Sequence, residues 1–360
     1  MADLNKRLEY VCRVVMLSIC LLLTLPGAAV EIKDTAPQSY VVKNGDTLWG
    51  IANLFLDEPW LWPELWRTNT QIANPHLIYP GDIIVVSIVN GKATLSIKRD
   101  KPKLVLSPTI GKREKSVPIN ILAWNAIAPF TKQHTFLSQE AYDALPQVLG
   151  NHEGNIRFAS DDFVLSQPSF SPQSQYQIVR KHATIKDLNE KVLGVQVTHI
   201  SSASVITNAR QDDAMLLFID EANQEAKRGD KIASGGFEFP ESIELVPATT
   251  QRGAIVGDLH DHDLLGKYDV AILDLGKEDV HPGMVLGIYL QGPAIIDDGA
   301  PRYVDEPGVQ YGGEWFTDTV AQPAMKVGEV IIIKTFQAAS YGLITRSNEG
   351  IKRGFIVAHP

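Results

Sequence analysis

Cysteine is almost missing: the 360 residues hold two, Cys12 and Cys20, both among the first twenty. A chain with no cysteine beyond residue 20 builds no disulfide framework there and carries no thiol nucleophile, which excludes the wall hydrolases and cross-linking enzymes that depend on one. A basic surplus is missing too. Lys and Arg total 33 against 42 Asp and Glu, a net charge of −9, which argues against a nucleic-acid binder that works by neutralising phosphates. Long apolar runs are also scarce. Val14 to Leu25 is uncharged over about twelve residues, whereas a bilayer core needs roughly 20. With 44 % hydrophobic and 21 % charged positions, the chain can bury a core of two or three domains.

What is present begins with an export signal. Lys6, Arg7 and Arg13 precede the apolar run, and Pro26, Gly27, Ala28 and Ala29 close it, the order and size of a signal peptide over 1–29. Cleavage after Ala29 is the expected processing, with an uncleaved N-terminal anchor as the alternative. Lipidation at Cys20 is disfavoured by bulky Ile19 before it. Cleavage takes away three basic and two acidic residues, so the mature chain carries −10 and no cysteine.

After a polar linker at 30–39, residues 40–88 read as strand, helix, helix, strand. Tyr40-Val41-Val42 is β-prone, Asn44-Gly45 is a turn signal, and Asp46 or Thr47 can cap the helix that follows. Leu48, Ile51, Ala52 and Phe55 repeat at i, i+3, i+4 and i+7 and mark one buried face. Pro63 suits the first turn of a second helix, where its missing N–H costs nothing. Pro80-Gly81 makes a turn into Ile83-Ile84-Val85-Val86.

The string Tyr40-x-Val42-x-x-Gly45-Asp46-Thr47-Leu48-Trp49-x-Ile51-Ala52, then Asn69, then Asn74-Pro75-His76-Leu77-Ile78-Tyr79-Pro80-Gly81-Asp82 resembles the LysM family of glycan-binding modules. The resemblance covers about 50 of the 360 residues. It implies a groove for N-acetylglucosamine units of peptidoglycan or chitin, formed by Gly45, Asp46, Thr47 and Leu48 with Asn74, Pro75, His76, Leu77 and Ile78. A neutral glycan needs backbone donors and acceptors plus small apolar patches for its N-acetyl methyls, which Leu48, Pro75, Leu77 and Ile78 can supply. The competing reading gives Gly45, Asp46 and Asn74 turn and cap duties only. The layout, one N-terminal module before a β-rich region, also resembles a group of Gram-negative envelope proteins. The chain departs from the commonest family pattern between Phe55 and Asn69, about three residues longer than usual and holding Trp60, Trp62 and Trp66. Trp60 and Trp62 either extend the groove by stacking on a pyranose or pack the module, and Trp66 reads as core.

Beyond the module the expected class is mainly β, making the whole chain α+β. A mixed, mostly β domain is expected at 89–184, with a helix from Ser138 to Leu149 and a strand ending at Val179. A β repeat domain follows at 185–290, a Gly/Pro/Asp-rich loop at 291–325 and a C-terminal β unit at 326–360, as small barrels or sandwiches. Lys227-Arg228-Gly229-Asp230, His281-Pro282-Gly283-Met284 and Lys352-Arg353-Gly354-Phe355 share a glycine turn before an apolar strand. The first and last also share upstream text, Gly194-x-x-Val197 with Gly328-x-x-Ile331. Tyr268 to Leu275 reads as a half-buried strand.

Catalytic patterns are thin. His260 and His262 would project from one face of a strand, as zinc ligands can, and an HxH pair occurs in lysostaphin-like metallopeptidases; their further upstream His and Asp ligands are not found, and Asp258 to Asp263 reads as a charged turn. Glu241-Ser242 lacks the Gly-Leu-Met-Gln context of lytic transglycosylases, and neither a phosphate loop nor a Gly-x-Ser-x-Gly elbow occurs. No catalytic residue, metal or cofactor is expected. The expected partners are peptidoglycan glycan strands and an envelope protein on the β-domains, without nucleic acid, and a membrane only through an uncleaved signal peptide. A murein hydrolase or its activator, and an interaction protein with a degenerate module, are the alternatives.

Overall fold

The structure, a computed structural model, describes residues 30, 32–66, 77–89, 92–98, 122, 133–168, 174–207, 214–234, 243, 245–297, 301–304 and 319–360. The chain divides into two compact units at residues 119 and 120. The expected signal peptide lies outside the described residues.

The first unit holds β1 (Ser39–Val41), α1 (Leu48–Phe55), a 3-10 turn at Pro59–Leu61, α2 (Trp62–Trp66), β2 (Ile83–Val89) and β3 (Lys92–Lys98). Leu48, Ile51, Ala52 and Phe55 are all buried, as their spacing demands. β1 pairs antiparallel with β2, and β2 in turn with β3. This third strand runs to Lys98, so the sheet continues past the boundary expected at residue 88.

The second unit is two barrels of one topology. The first uses β5 (Val148–Gly150), β7 (Phe163–Ser166), β8 (Gln175–Lys186), β9 (Val192–Thr207), β10 (Met215–Ala222) and β12 (Lys231–Ser234), with β4 (His134–Leu137), α3 (Gln139–Asp143) and the small β6 (Arg157–Phe158) and β11 (Ala226–Lys227) around it. Its strands neighbour one another in the order β5, β7, β10, β9, β8, β12. A bridge from Gln147 to Lys231 and the Val148 N–H donating to the Asp230 carbonyl at 2.8 Å bring β12 back to β5.

The second barrel begins with β13 (Val246–Pro247), then β14 (Gly253–Asp258), β15 (Val270–Leu273), β16 (Met284–Leu290), the short β17 (Ile295–Ile296), β18 (Arg302–Tyr303) and β19 (Thr319–Val320), and ends with β20 (Met325–Thr335), β21 (Ser340–Ser347) and β22 (Ile356–Ala358). Here the order is β14, β15, β21, β20, β16, β22, and β22 closes on β14. Counting the six main strands of each barrel along the chain, both follow the path first, second, fifth, fourth, third, sixth and back to the first. Their interiors are separate apolar clusters, around Tyr176, Ile178 and Leu217 in one and Leu273, Leu286, Val330 and Ile344 in the other.

This topology explains the repeat and corrects its borders. Gly194 and Gly328 both lie on the fourth strand, where an added methyl would meet the carbonyls of Leu137 and Arg346. The Lys227 and Lys352 turns both feed the sixth strand, whereas the His281 turn feeds the third. The border expected at 184/185 cuts through β8, and the expected unit at 326–360 is half of a barrel whose other half begins near residue 246. The segment 291–325 carries three short strands among its described residues. The helix expected from 138 to 149 stops at Asp143; Ser138 caps it, and Pro146 and β5 follow.

β8 and β9 outrun their barrel. β12 covers only Tyr176 to Val179 of β8, and beyond that β8, β9 and β4 form a three-stranded arm. One face of the arm packs Val195 and Val197 on Leu137, Tyr142 and Leu145. The other crosses the second barrel, with the Phe136 and Phe336 rings tilted against each other at 5.4 Å between centres and Ile185 against Gly257. This explains why β15, expected to be half buried, is buried at all four residues: its inner face fills the barrel and Ile272 on its outer face lies next to Gly257, under the arm.

Asp230 ties this arrangement together. Its carboxylate takes the Arg180 guanidinium through Nε at 2.8 Å and Nη2 at 2.7 Å and the Lys227 N–H at 2.7 Å, and it is 5 % exposed. Asp230→Ala leaves the Arg180 guanidinium with only the Glu225 carbonyl, and the Lys227 N–H without its acceptor. Urea denaturation is expected to show a loss of about 2–4 kcal/mol, with Asp230→Asn recovering part of it.

Candidate glycan-binding site

Two loops leave the first sheet at the same end, because Val41 at the end of β1 pairs with Ile83 at the start of β2. The Val42 N–H donates to the Asp82 carbonyl at 2.9 Å and the Gly81 N–H to the Val42 carbonyl at 2.8 Å. The turn before α1 therefore runs beside the turn before β2, the juxtaposition that a shallow groove needs. Gly45 and Gly81 adopt φ of +90° and +93°, left-handed values that favour glycine.

Several candidate side chains already have structural work. Thr47 is the N-cap of α1, its Oγ1 accepting the Gly50 N–H at 3.1 Å. The Asp46 carboxylate accepts the Lys43 N–H at 2.8 Å and the Tyr40 hydroxyl at 3.0 Å. Burial, then this bond to Asp46, raise the Tyr40 pKa, so Tyr40 stays a donor. Leu48 and Ile78 are buried with no surface to offer, while Leu77 is 41 % exposed. Asn74, Pro75 and His76 lie outside the described residues. The surface left open here is the backbone around Gly45 and the Leu77 side chain.

The extension of the groove through Trp60 and Trp62 is corrected. They are 3 % and 0 % exposed, and Trp62 packs on Phe55 with ring centres 6.4 Å apart. A pyranose needs an open ring face, and neither indole has one. The longer loop thus brings apolar mass to a small core. The side chain of Trp66 lies outside the described residues, and Trp49 is half-buried.

In the second unit, His260 and His262 lie in the loop after β14 and not on a strand. The Asp258 carboxylate accepts the N–H of His260 at 3.0 Å and of His262 at 3.1 Å, folding the loop into the charged turn its sequence suggests. Among the described residues no three His, Cys, Asp or Glu side chains are grouped to hold a metal ion. The sequence missed that a cleft of about 550 Å³ opens beside this turn, between the barrels, lined by Lys186, Glu190, Asp258, Asp261, His262 and Arg353. Arg353 reaches across it to the carbonyls of Lys186 at 3.3 Å and Asp187 at 3.0 Å.

Residues 40–87 match the LysM domain model, so the chain is a LysM-containing protein with a β-rich remainder. LysM domains generally bind peptidoglycan and other N-acetylglucosamine glycans and are typical of cell-wall and envelope proteins. The chain is similar to the "Uncharacterized protein YqbP" of Bacillus subtilis (strain 168), 37 % identical over 57 residues, which is 13 % of this chain and 26 % of that protein. The match therefore spans about a quarter of that relative. Among the described residues no helix is long and apolar enough to cross a membrane.

The buried roles separate stability from recognition. Trp62→Ala is expected to cost about 3–5 kcal/mol, and Thr47→Ala about 1 kcal/mol through the lost cap. Thermal melts of the purified chain check both, and Thr47→Ser should melt close to the parent.

Proposed function

We propose that the chain binds peptidoglycan without cutting it, through the turn at 45–48 and the loop at 74–78, and holds its two barrels within a Gram-negative envelope for contact with another envelope component. The observation that supports this reading is the pairing of Val41 with Ile83, which brings the turn at 43–46 beside the turn at 79–82 in a segment that matches LysM. Backbone groups around Gly45 hydrogen-bond the amide and hydroxyls of N-acetylglucosamine, and Leu77 covers the N-acetyl methyl. The buried tryptophans fix the frame and leave recognition to the loops. One shallow groove supports an affinity of about −4 to −8 kcal/mol, and retention on a wall then rests on the density of glycan sites.

The mature chain is expected to co-sediment with insoluble peptidoglycan. Leu77→Asp combined with Asn74→Ala should lower the bound fraction at least about fivefold, or about 1 kcal/mol, with an unchanged melting curve. Equal sedimentation of parent and variant, or none by the parent, rejects the reading. Digests of the same peptidoglycan should give an unchanged muropeptide profile with and without added zinc; new products would make the chain a hydrolase.

A further inference from the structure

Where the arm of the first barrel crosses the second, four histidines gather. They are His134 on β4, His182 on β8, and His260 and His262 in the loop after β14. Ring centres are 5.1 Å apart for His134 and His260, 5.5 Å for His134 and His182, and 5.6 Å for His260 and His262. His134 is 5 % exposed and its neighbour on β9, Gln196, is wholly buried.

Gln196 makes the bond that joins the barrels here. Its Nε2 donates to the Leu259 carbonyl at 3.0 Å and lies 3.4 Å from His134 Nδ1. Thr198 Oγ1 is 3.5 Å from the same ring nitrogen. An amide nitrogen can only donate, so beside Gln196 Nε2 the His134 Nδ1 is the acceptor, which places the hydrogen of the neutral ring on Nε2. The Gln196 Oε1 is buried and has no hydrogen-bond partner among the described residues. A buried acceptor without a donor is costly, and this one belongs to the amide that touches the histidine.

We propose that His134 and Gln196 form a proton-operated latch between the two barrels. A proton arriving at His134 Nδ1 turns that nitrogen into a donor. The Gln196 amide then rotates, its Oε1 accepts the new N–H, and its Nε2 leaves the Leu259 carbonyl. The orphaned acceptor is satisfied at the expense of the bond across the seam, so the loop after β14 loosens and the adjoining cleft opens.

The groups facing His134 set the pH at which this happens. Burial first, then the neighbouring His260 and His182, hold its pKa down to about 4 from an ordinary 6.5, while Asp258 in the loop and Asp261, 3.2 Å from His182 Nε2, oppose them. A released His134 titrates near its ordinary value. The closed seam is therefore at full strength above that value and weakens as the pH falls from 6.5 towards 4, its closed-to-open ratio dropping by up to about 300-fold.

Hydrogen exchange of the full chain, corrected for the intrinsic pH dependence of amide exchange, reads the latch at residues 259–263. Their protection is expected to fall at least about tenfold between pH 7 and pH 4.5 while β20 and β21 stay protected. His134→Gln should make the loop's protection independent of pH. His260→Gln removes a repelling neighbour and brings the His134 pKa in the closed seam towards its ordinary value, so the loss of protection in acid should be smaller than in the parent, which tests the latch should His134→Gln fail to fold. Protection that does not change with pH in the parent, an identical transition in His134→Gln, which would assign it to Asp258, or an acid loss of protection in His260→Gln at least as large as the parent's overturns the proposal.

Discussion

One short-range clasp recurs through both units: an aspartate closes a four-residue turn by bonding twice to the residue three positions back. In Lys43 to Asp46, Tyr79 to Asp82, Ala159 to Asp162, Lys227 to Asp230, Gly266 to Asp269 and Gly276 to Asp279, the carboxylate accepts the first residue's N–H at 2.7–3.0 Å. The aspartate's own N–H donates to that residue's carbonyl in each case. The third position takes positive φ in five of the six, through Gly45, Gly81, Asp161, Gly229 and Tyr268. These turns reverse the chain at set points, and the sheets follow from where it reverses. Part of the chain's acidity thus serves backbone geometry and is no sign of an acidic binding face.

The clasp also recasts the internal repeat. The Lys227, His281 and Lys352 turns look alike because each makes the same reversal, and the last two do so with Met284 and Phe355 in the aspartate's place. Likeness of turn alone gives no homology of position. The firmer sign of duplication is Gly194 matching Gly328, since both meet a neighbouring carbonyl on the fourth strand of the same closed path. With two barrels of one topology, the surface where they meet becomes the part of the molecule that neither barrel dictates alone. It gathers the cleft, the histidines and the Arg353 crossing.

The module at 40–87 was readable in detail because its determinants are local. A helical stripe, a capping threonine and glycine turns act within a few residues of one another, and each takes the role its spacing assigns. The tryptophans were not readable in the same way. An indole has the same composition signature whether it stacks on sugar or fills a core, and burial alone tells the two apart, as Trp62 against Phe55 shows. Among the groove residues, the sequence left Asp46 and Thr47 open between sugar contact and turn or cap duty, and only the structure shows their side chains engaged in the latter.

By itself, then, the sequence determined the LysM-like segment, the absence of thiol chemistry beyond residue 20, the strand-rich remainder and the turns that punctuate it. The tertiary structure alone decided which strands pair, where the barrels begin and end, and which side chains meet at their seam. The reason is range. A period of two says which face of a strand is buried and is silent about its partner, and a path that sets the second strand beside the fifth closes across scores of residues. His134, His182 and His260 stand far apart in the chain and gain their chemistry from that closure.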